Sequence, residues 1–373
     1  MDTSETPRRQ LRNSHLENVQ NLSTPIRIPP SPMLKTLGMG TGVSVYRLDR
    51  SPRLGQIRSP WAVKKILKNT LAKKDKLFDE RIVYEADILR KLKHPNIVGY
   101  RGIVKSIDGT NNLALEMCTT SLGSILEERH DENLGPLPAK HTFKMIMDIA
   151  HALDFLHTEA KLLHGDLKSF NVLVKGEFEI CKLCDFGVSL PLDDKGEINF
   201  QKNPQLNYVG TGLWSPPEIV DEAEIIDSKA DIFSFGLVIY ETLALVPPHF
   251  GTVAELADET EIDDDEVSKE NIEQDPAMDS HDHEDDDDDA ADEEDTELDD
   301  TKENDDEFSL ADLESAYGTR PPLPVAFQLS DDYNCIVELF YLCTNALSED
   351  RPSARTIWQC CENNAANITT SLE

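Results

Sequence analysis

The sequence predicts an α+β chain in two lobes, a small β-rich lobe ahead of a large helical one, with a long acidic insertion inside the second. Three observations carry that expectation. Between Leu37 and Ile66 the apolar residues alternate, as at Val43 and Val45 and then in the strand-like run Trp61-Ala62-Val63, the period of half-buried strands. Between Pro138 and Glu159, Phe143, Ile146, Ile149, Ala150, Leu153 and Leu156 recur at helical spacing, and DIFSFGLVIYETL from Asp231 is apolar on every side, so both read as helices buried in a core. Finally, the formal charge of −35 is concentrated: residues 252–317 hold 32 acidic and 2 basic residues, −30 in one segment, which leaves −5 for everything else.

Composition excludes several classes. A chain of 373 residues that is 39% hydrophobic can bury a core of two lobes, and it has no apolar run long enough to cross a bilayer. The seven cysteines are scattered and suggest no disulfide framework, and MDTSETPRRQ at the N-terminus lacks the apolar centre of a secretion signal. A reducing cytoplasmic or nuclear location is the expectation.

In chain order, residues 1–32 are polar, contain Pro7, Pro25, Pro29, Pro30 and Pro32, and show no periodicity, so they read as a flexible tail. Thr6-Pro7-Arg8-Arg9 and Thr24-Pro25-Ile26-Arg27 within it fit the site type of proline-directed kinases, which makes Thr6 and Thr24 phosphorylation candidates; incidental linker prolines explain either one equally well. Residues 33–117 form the expected small lobe. LGMGTGVSVYRL reads as strand, tight turn and strand, and the glycines let backbone approach phosphate oxygens. Trp61-Ala62-Val63-Lys64 is an apolar strand ending in a lysine. A helix is expected from about Leu71 to Lys93, with Ile82, Ala86, Leu89 and Leu92 on one face and Glu85 on it, Glu80 being the alternative carboxylate. Asn112 to Cys118 is a strand running into a connection between lobes, followed by the helix SLGSILEERH.

Residues 118–365 form the expected large lobe, and its chemistry sits in LLHGDLKSFNVLVKGEFEICKLCDFG, residues 162–187. Asp166, Lys168 and Asn171 share one short loop, and Asp185 precedes Phe186 and Gly187 on the next turn. One carboxylate to accept a hydroxyl proton, with an amide and a second carboxylate to hold magnesium, is the set that phosphoryl transfer requires. Cys181 and Cys184, three apart on an expected strand, point to opposite faces and are read as packing rather than as a metal pair. A polar loop follows from Asp185 to GTGLWSPPE at Glu218. The acidic insertion, 252–307, lacks aromatic and apolar patterning and is expected to be disordered; with no glycine between Gly251 and Gly318 it cannot supply the turn of a calcium-binding hand. His281 and His283 among its aspartates offer at most a weak site for a divalent ion. Ser309 to Gly318 reads as a short helix, and 366–373 as a C-terminal tail.

Taken together, these motifs resemble those of the eukaryotic protein kinases over residues 33–365. More narrowly, LGMGTGVSVY, HGDLKS and an acidic insertion ahead of GTRPP resemble the PDZ-binding kinases, a mitogen-activated-protein-kinase-kinase-like mitotic group. The resemblance implies the bilobal kinase fold, ATP and Mg2+ as cofactors, and protein substrates, possible ones being a mitogen-activated protein kinase or basic proteins such as histones, with no membrane or direct nucleic-acid partner. It implies catalytic roles for Asp166, Lys168, Lys64 and Glu85, magnesium at Asn171 and Asp185, and a nucleotide site of Gly38, Met39, Gly40, Thr41, Gly42, Val45, Ala62, Lys64, Leu115, Glu116, Cys118 and Leu173. Lys168 and Thr211 are what serine/threonine-directed members carry, and dual specificity stays open. Asp231 would hold the catalytic loop, and Arg351 would pair with Glu218.

Three departures stand out. Gly42 comes one place before the usual third glycine, where Val43 stands. The terminal Thr370-Ser371-Leu372-Glu373 lacks the apolar last residue of a PDZ ligand, so PDZ binding is not expected from it. Gly165 stands where most regulated members place an arginine that contacts a phosphate on the following loop; a phosphate on Ser189, Tyr208 or Thr211 would lack that partner, and control is expected mainly from the tail or a binding partner. A pseudokinase scaffold that works through its acidic surface is the alternative function.

Overall fold

The structure, a computed structural model, describes residues 35–40, 43–50, 58–66, 72–105, 110–250, 315–324 and 328–370. Thr6, Thr24, Thr41, Gly42, the tail expected over 1–32 and the insertion expected over 252–307 lie outside the described residues.

In the small lobe, β1 (Lys35–Gly40), β2 (Val43–Leu48), β3 (Trp61–Ile66), β4 (Tyr100–Lys105) and β5 (Asn111–Glu116) form an antiparallel sheet in the order β1-β2-β3-β5-β4. The β2–β3 register sets Val45 opposite Lys64 and Arg47 opposite Ala62, and the β3–β5 register sets Lys64 opposite Leu113. Helix α1 (Ala72–Leu89) packs on this sheet through Ile82, Ala86 and Leu89, which are buried at spacings of three and four. It stops short of the expected Lys93. The residue before Pro95 is disfavoured in helical geometry, so the chain leaves the helix through a turn before His94.

In the large lobe, β6 (Thr120–Ser121) leads into α2 (Leu122–Asp131), whose N-terminus is capped by the Ser121 hydroxyl accepting from the Ser124 N–H at 3.1 Å. Helix α3 (Ala139–Phe155) continues into a wider turn, Leu156–Ala160, and ends at Lys161 in left-handed geometry. Then follow β7 (Leu162–Leu163), β8 (Val172–Lys175) and β9 (Ile180–Leu183), with β6-β8-β9 forming a second small sheet. The stretch expected to carry the chemistry is therefore the pair of loops after β7 and after β9. Beneath it runs α5 (Lys229–Ala244), reached after the short α4 (Pro217–Val220); Ala230 through Ala244 are all buried, as a helix apolar on every side must be. Helices α6 (Asn334–Cys343) and α7 (Ala354–Thr370) close the core against α5 and α3. No helix among the described residues is long and apolar enough to cross a membrane.

The expected polar loop from Asp185 to Glu218 contains two short strands instead. β10 (Leu190–Pro191) pairs with β7, and β11 (Glu197–Asn199) pairs with β12 (Ile225–Asp227). The cause is apolar: Leu190, Leu192 and Ile198 bury with Leu163, Ile226 and Ala230 in a cluster separate from the main core. Leu190 and Leu192 alternate in the sequence, the one signal of this pairing.

Candidate active site

Lys64 enters the site from the central strand β3, so its position is set by ladders on both sides. Its ammonium donates to Glu85 Oε2 at 2.9 Å and to Asp185 Oδ1 at 2.8 Å, and its side chain is only 10% exposed. Burial acts against this charge, yet Glu85 and Asp185 together hold the ammonium above its usual range. Burial pushes the Glu85 carboxyl up against the pull of Lys64. Asp185 falls the other way: burial opposes its charge, but Lys64 beside it keeps the carboxyl below the usual range. Glu85, and not the exposed Glu80, is the helix carboxylate that reaches the strand lysine.

The catalytic loop is fixed from below. Asp231, in the first turn of α5, accepts the His164 N–H at 2.8 Å, the Gly165 N–H at 3.0 Å and a hydrogen bond from His157 Nε2 at 2.8 Å. Burial opposes the charge on Asp231, but these donors keep its carboxyl below the usual range. His164 ties the two loops together: Nε2 donates to the Cys184 carbonyl at 3.0 Å and Nδ1 accepts from the Asp166 N–H at 3.3 Å. His164 and Phe186 meet edge to face with ring centres 5.0 Å apart, and Phe186 is fully buried. Cys181 is buried on β9, and Cys184 follows that strand.

On this platform Asp166, Lys168 and Thr211 converge. The Lys168 ammonium donates to Asp166 Oδ2 at 3.1 Å and to Thr211 Oγ1 at 2.9 Å, while the Thr211 hydroxyl donates to Asp166 Oδ1 at 2.6 Å. Asn171 donates through Nδ2 to the Asp166 carbonyl at 2.7 Å and to Asp166 Oδ2 at 3.0 Å, which directs its amide oxygen away as an acceptor. That oxygen and the Asp185 carboxylate are hard donors of the kind magnesium takes.

The expected nucleotide residues fall into several environments. Gly38 and the backbones of Met39 and Gly40 lie on β1, and a Cβ at Gly38 would meet nothing within 4 Å. Val45 and Ala62 are half-buried on β2 and β3, Leu115 is buried opposite Ala62, and Leu173 is half-buried on β8. Cys118 is buried in the connection between lobes. The Glu116 N–H is already committed to the Gly99 carbonyl at 2.7 Å. Its carboxylate is clamped by Lys175 and Lys182, each at 3.1 Å, so the connection is tied to both strands of the large lobe that flank the catalytic loops.

Sequence reasoning missed several of these residues. The lysines at 175 and 182 look like any strand lysines, and only the fold brings them to Glu116. Tyr84, one position before Glu85, donates to the Ser189 carbonyl at 2.7 Å and so fastens α1 to the segment after Asp185. Glu241, fully buried in α5, accepts from the Ser169 N–H at 3.1 Å, the Ser169 hydroxyl and Trp214 Nε1 at 2.8 Å. A carboxylate deep in a buried helix was its signal. The expected Arg351–Glu218 pair is present as a fork, with contacts of 2.7 and 2.8 Å and the arginine side chain fully buried.

The chain matches the protein kinase domain family over residues 32–359, and it belongs to that family. It is an ATP-dependent protein kinase. It is 41% identical over 342 residues to the human lymphokine-activated killer T-cell-originated protein kinase, covering 91% of this chain and 92% of that protein. It is also 30% identical over 225 residues to the dual specificity protein kinase shkE of Dictyostelium discoideum, covering 59% of this chain and 29% of that protein. Against the cytokinesis protein sepH of Aspergillus niger it is 35% identical over 170 residues, 45% of this chain and 12% of that protein.

Proposed function

We propose that this kinase transfers the γ-phosphate of Mg-ATP to serine and threonine hydroxyls of protein substrates, in a mitogen-activated-protein-kinase-kinase-like role during mitosis or proliferation. The observation that carries the hydroxyl class is the contact of Lys168 with both Asp166 and Thr211. It leaves Asp166 as the group that takes the substrate proton, with the ammonium beside it neutralising charge as the oxygen attacks. Lys64, oriented by Glu85, would hold the α- and β-phosphates, and Asn171 and Asp185 would hold magnesium, which when bound offsets charge on the phosphate oxygens. The mitotic role rests on the resemblance of LGMGTGVSVY, HGDLKS and the acidic insertion to the PDZ-binding kinases, and the 41% identity to the human lymphokine-activated killer T-cell-originated protein kinase supports that resemblance. Basic substrates are supported by the −30 carried between residues 252 and 317.

The test uses a histone mixture, radiolabelled ATP and phosphoamino-acid analysis, with Asp185→Ala as control. Phosphoserine and phosphothreonine are expected, absent from the control; a product mainly of phosphotyrosine would overturn the hydroxyl class. Thr24 and Thr6 are proposed as acceptors for an upstream proline-directed kinase, and the chain as resident in the cytoplasm, the nucleus or both. Phosphopeptide mapping of mitotic against interphase cells addresses the first, and fractionation the second; negligible occupancy of both threonines in mitosis would retire the upstream kinase.

A further inference from the structure

Tyr208 lies three residues before Thr211, whose hydroxyl is bonded to Asp166. Its ring lies beside two glycines, both with positive φ: Gly165 at +76° on the loop that carries Asp166 and Gly210 at +25° on its own segment. A Cβ at 165 would stand in ordinary contact, 3.8 Å from Tyr208 Cε2 and 3.4 Å from the Val188 carbonyl oxygen, so the ring lies within one atom's breadth of the glycine, while the positive φ would strain any side chain there. A Cβ at 210 would collide with the ring edge at Cε1.

The rest of the side chain is equally well provided for. The ring packs on the second hydrophobic cluster, which includes Leu163, Leu190, Ile198, Ile226 and Ala230. The phenol lies beside Ser234, and Asp231, Asp166 and Glu218 are near enough that, after burial, their charges help hold its proton on. A phosphate there would face those carboxylates, and residue 165, a glycine, offers it no guanidinium. Tyr208 is therefore built to work unmodified, bridging the apolar cluster and the backbone that Asp231 anchors.

We propose that Tyr208 is a positioning residue: its ring wedges the Thr211 end of the segment against Gly165 of the catalytic loop, holding Thr211 on Asp166 without a phosphate. The inference rests on the kinase chemistry of the family and extends it to how this member keeps its site assembled.

The test uses the full chain, treated with phosphatase and shown by mass to be unphosphorylated. Tyr208→Ala is expected to lower kcat on a histone mixture by about tenfold or more while KM for ATP stays within about twofold, whereas Tyr208→Phe, which keeps the ring, stays within about threefold of wild type. Gly210→Ala leaves the tyrosine in place but pushes the ring out, and is expected to fall with Tyr208→Ala. A general structural role would instead raise KM for ATP and lower melting temperature together. If Tyr208→Ala does not fold, Gly210→Ala decides. Wild-type kcat in Tyr208→Ala or Gly210→Ala, or an equal loss in Tyr208→Phe, would overturn the wedge. Amide hydrogen exchange at Gly165 and Asp166 reads the same contact without any substrate: it should speed up by about tenfold in Tyr208→Ala, and unchanged exchange would overturn the proposal even if histones were the wrong substrate.

Discussion

Glu85 and Asp185 meet at one ammonium, with Lys64 Nζ 2.9 Å from the first and 2.8 Å from the second. Helix α1, strand β3 and the turn after β9 are joined at that point, so the small lobe and the turn that carries Asp185 share a single buried charge.

Lys64→Met should lower kcat by about a hundredfold or more, equivalent to about 2.7 kcal/mol of transition-state stabilisation. It also strips Glu85 of its counter-charge, leaving burial, which already pushes that carboxyl up, unopposed by Lys64. A carboxyl whose folded pKa is raised above its unfolded value gives stability that is full below the unfolded pKa and lost as pH rises through the folded one. The variant should therefore melt close to wild type near about pH 4 and fall further behind it by about pH 8. Thermal melts across that range, with a phosphate-transfer assay, check both halves.

The pair Arg351 and Glu218 ties the segment after Thr211 to the far end of the large lobe through a fully buried guanidinium. Arg351 also donates to the carbonyls of Asn345, Lys229 and Ala346, so its removal leaves several acceptors without partners. Arg351→Ala should cost about 3–5 kcal/mol of stability. Chemical denaturation of the single and double variants with Glu218→Ala measures it, and the double should lose little more than the worse single.

Much of this site is legible in the sequence because its chemistry is local. Asp166, Lys168 and Asn171 lie on six consecutive residues, and Asp185 precedes Phe186 directly, so spacing alone brings them together. Pairs such as Lys64 with Glu85 and Arg351 with Glu218 followed only from resemblance, since nothing in residues 21 and 133 positions apart says that they touch. The contacts of Tyr84, Tyr208 and the lysines on Glu116 were not legible. Their side chains are ordinary by composition, and their roles depend on which backbone or carboxylate the tertiary packing sets beside them. The strands at Leu190 and Ile198 were hidden for a related reason, because two or three apolar residues in a polar run bury only where the fold supplies a matching surface at Leu163 and Ile226.

Glu241 offers a test by titration. Burial pushes its carboxyl up to about 7 despite donors from Ser169 and Trp214. Raised from 4.5, the group contributes stability that is full below about 4.5 and lost as pH climbs to about 7. Glu241→Gln keeps an acceptor for the Ser169 N–H and the indole and removes the charge, and the Ser169 hydroxyl can turn to accept from the new amide. It should flatten the stability profile between those values and melt higher than wild type at alkaline pH, whereas Glu241→Ala, which strands the indole N–H, should lose about 1–3 kcal/mol. Melting curves of the three proteins across the pH range decide it.

Asp231 separates anchoring from chemistry, since it reaches the catalytic loop only through backbone. One carboxylate oxygen takes the Gly165 N–H and the other takes His164 N–H and His157 Nε2. Asp231→Asn preserves size but must turn an amide NH2 toward one of these oxygen positions, setting donor against donor where water cannot enter. Each buried N–H left without an acceptor costs about 1–3 kcal/mol, so the variant should be destabilised by at least that amount. Its depressed carboxyl also fixes a sign: the wild-type contribution is present above the ordinary pKa of 3.8 and is lost as pH falls through the lower folded value, so wild type and Asp231→Asn should converge in stability in strong acid. Because Gly165 adjoins Asp166, freeing its N–H should lower kcat while KM for ATP stays near wild type, Lys64 being held from β3 and not from this loop. Measuring kcat, KM for ATP and acid melts on the same preparations tests the three consequences together; an unchanged kcat in a folded variant would show that the loop keeps its geometry without this anchor.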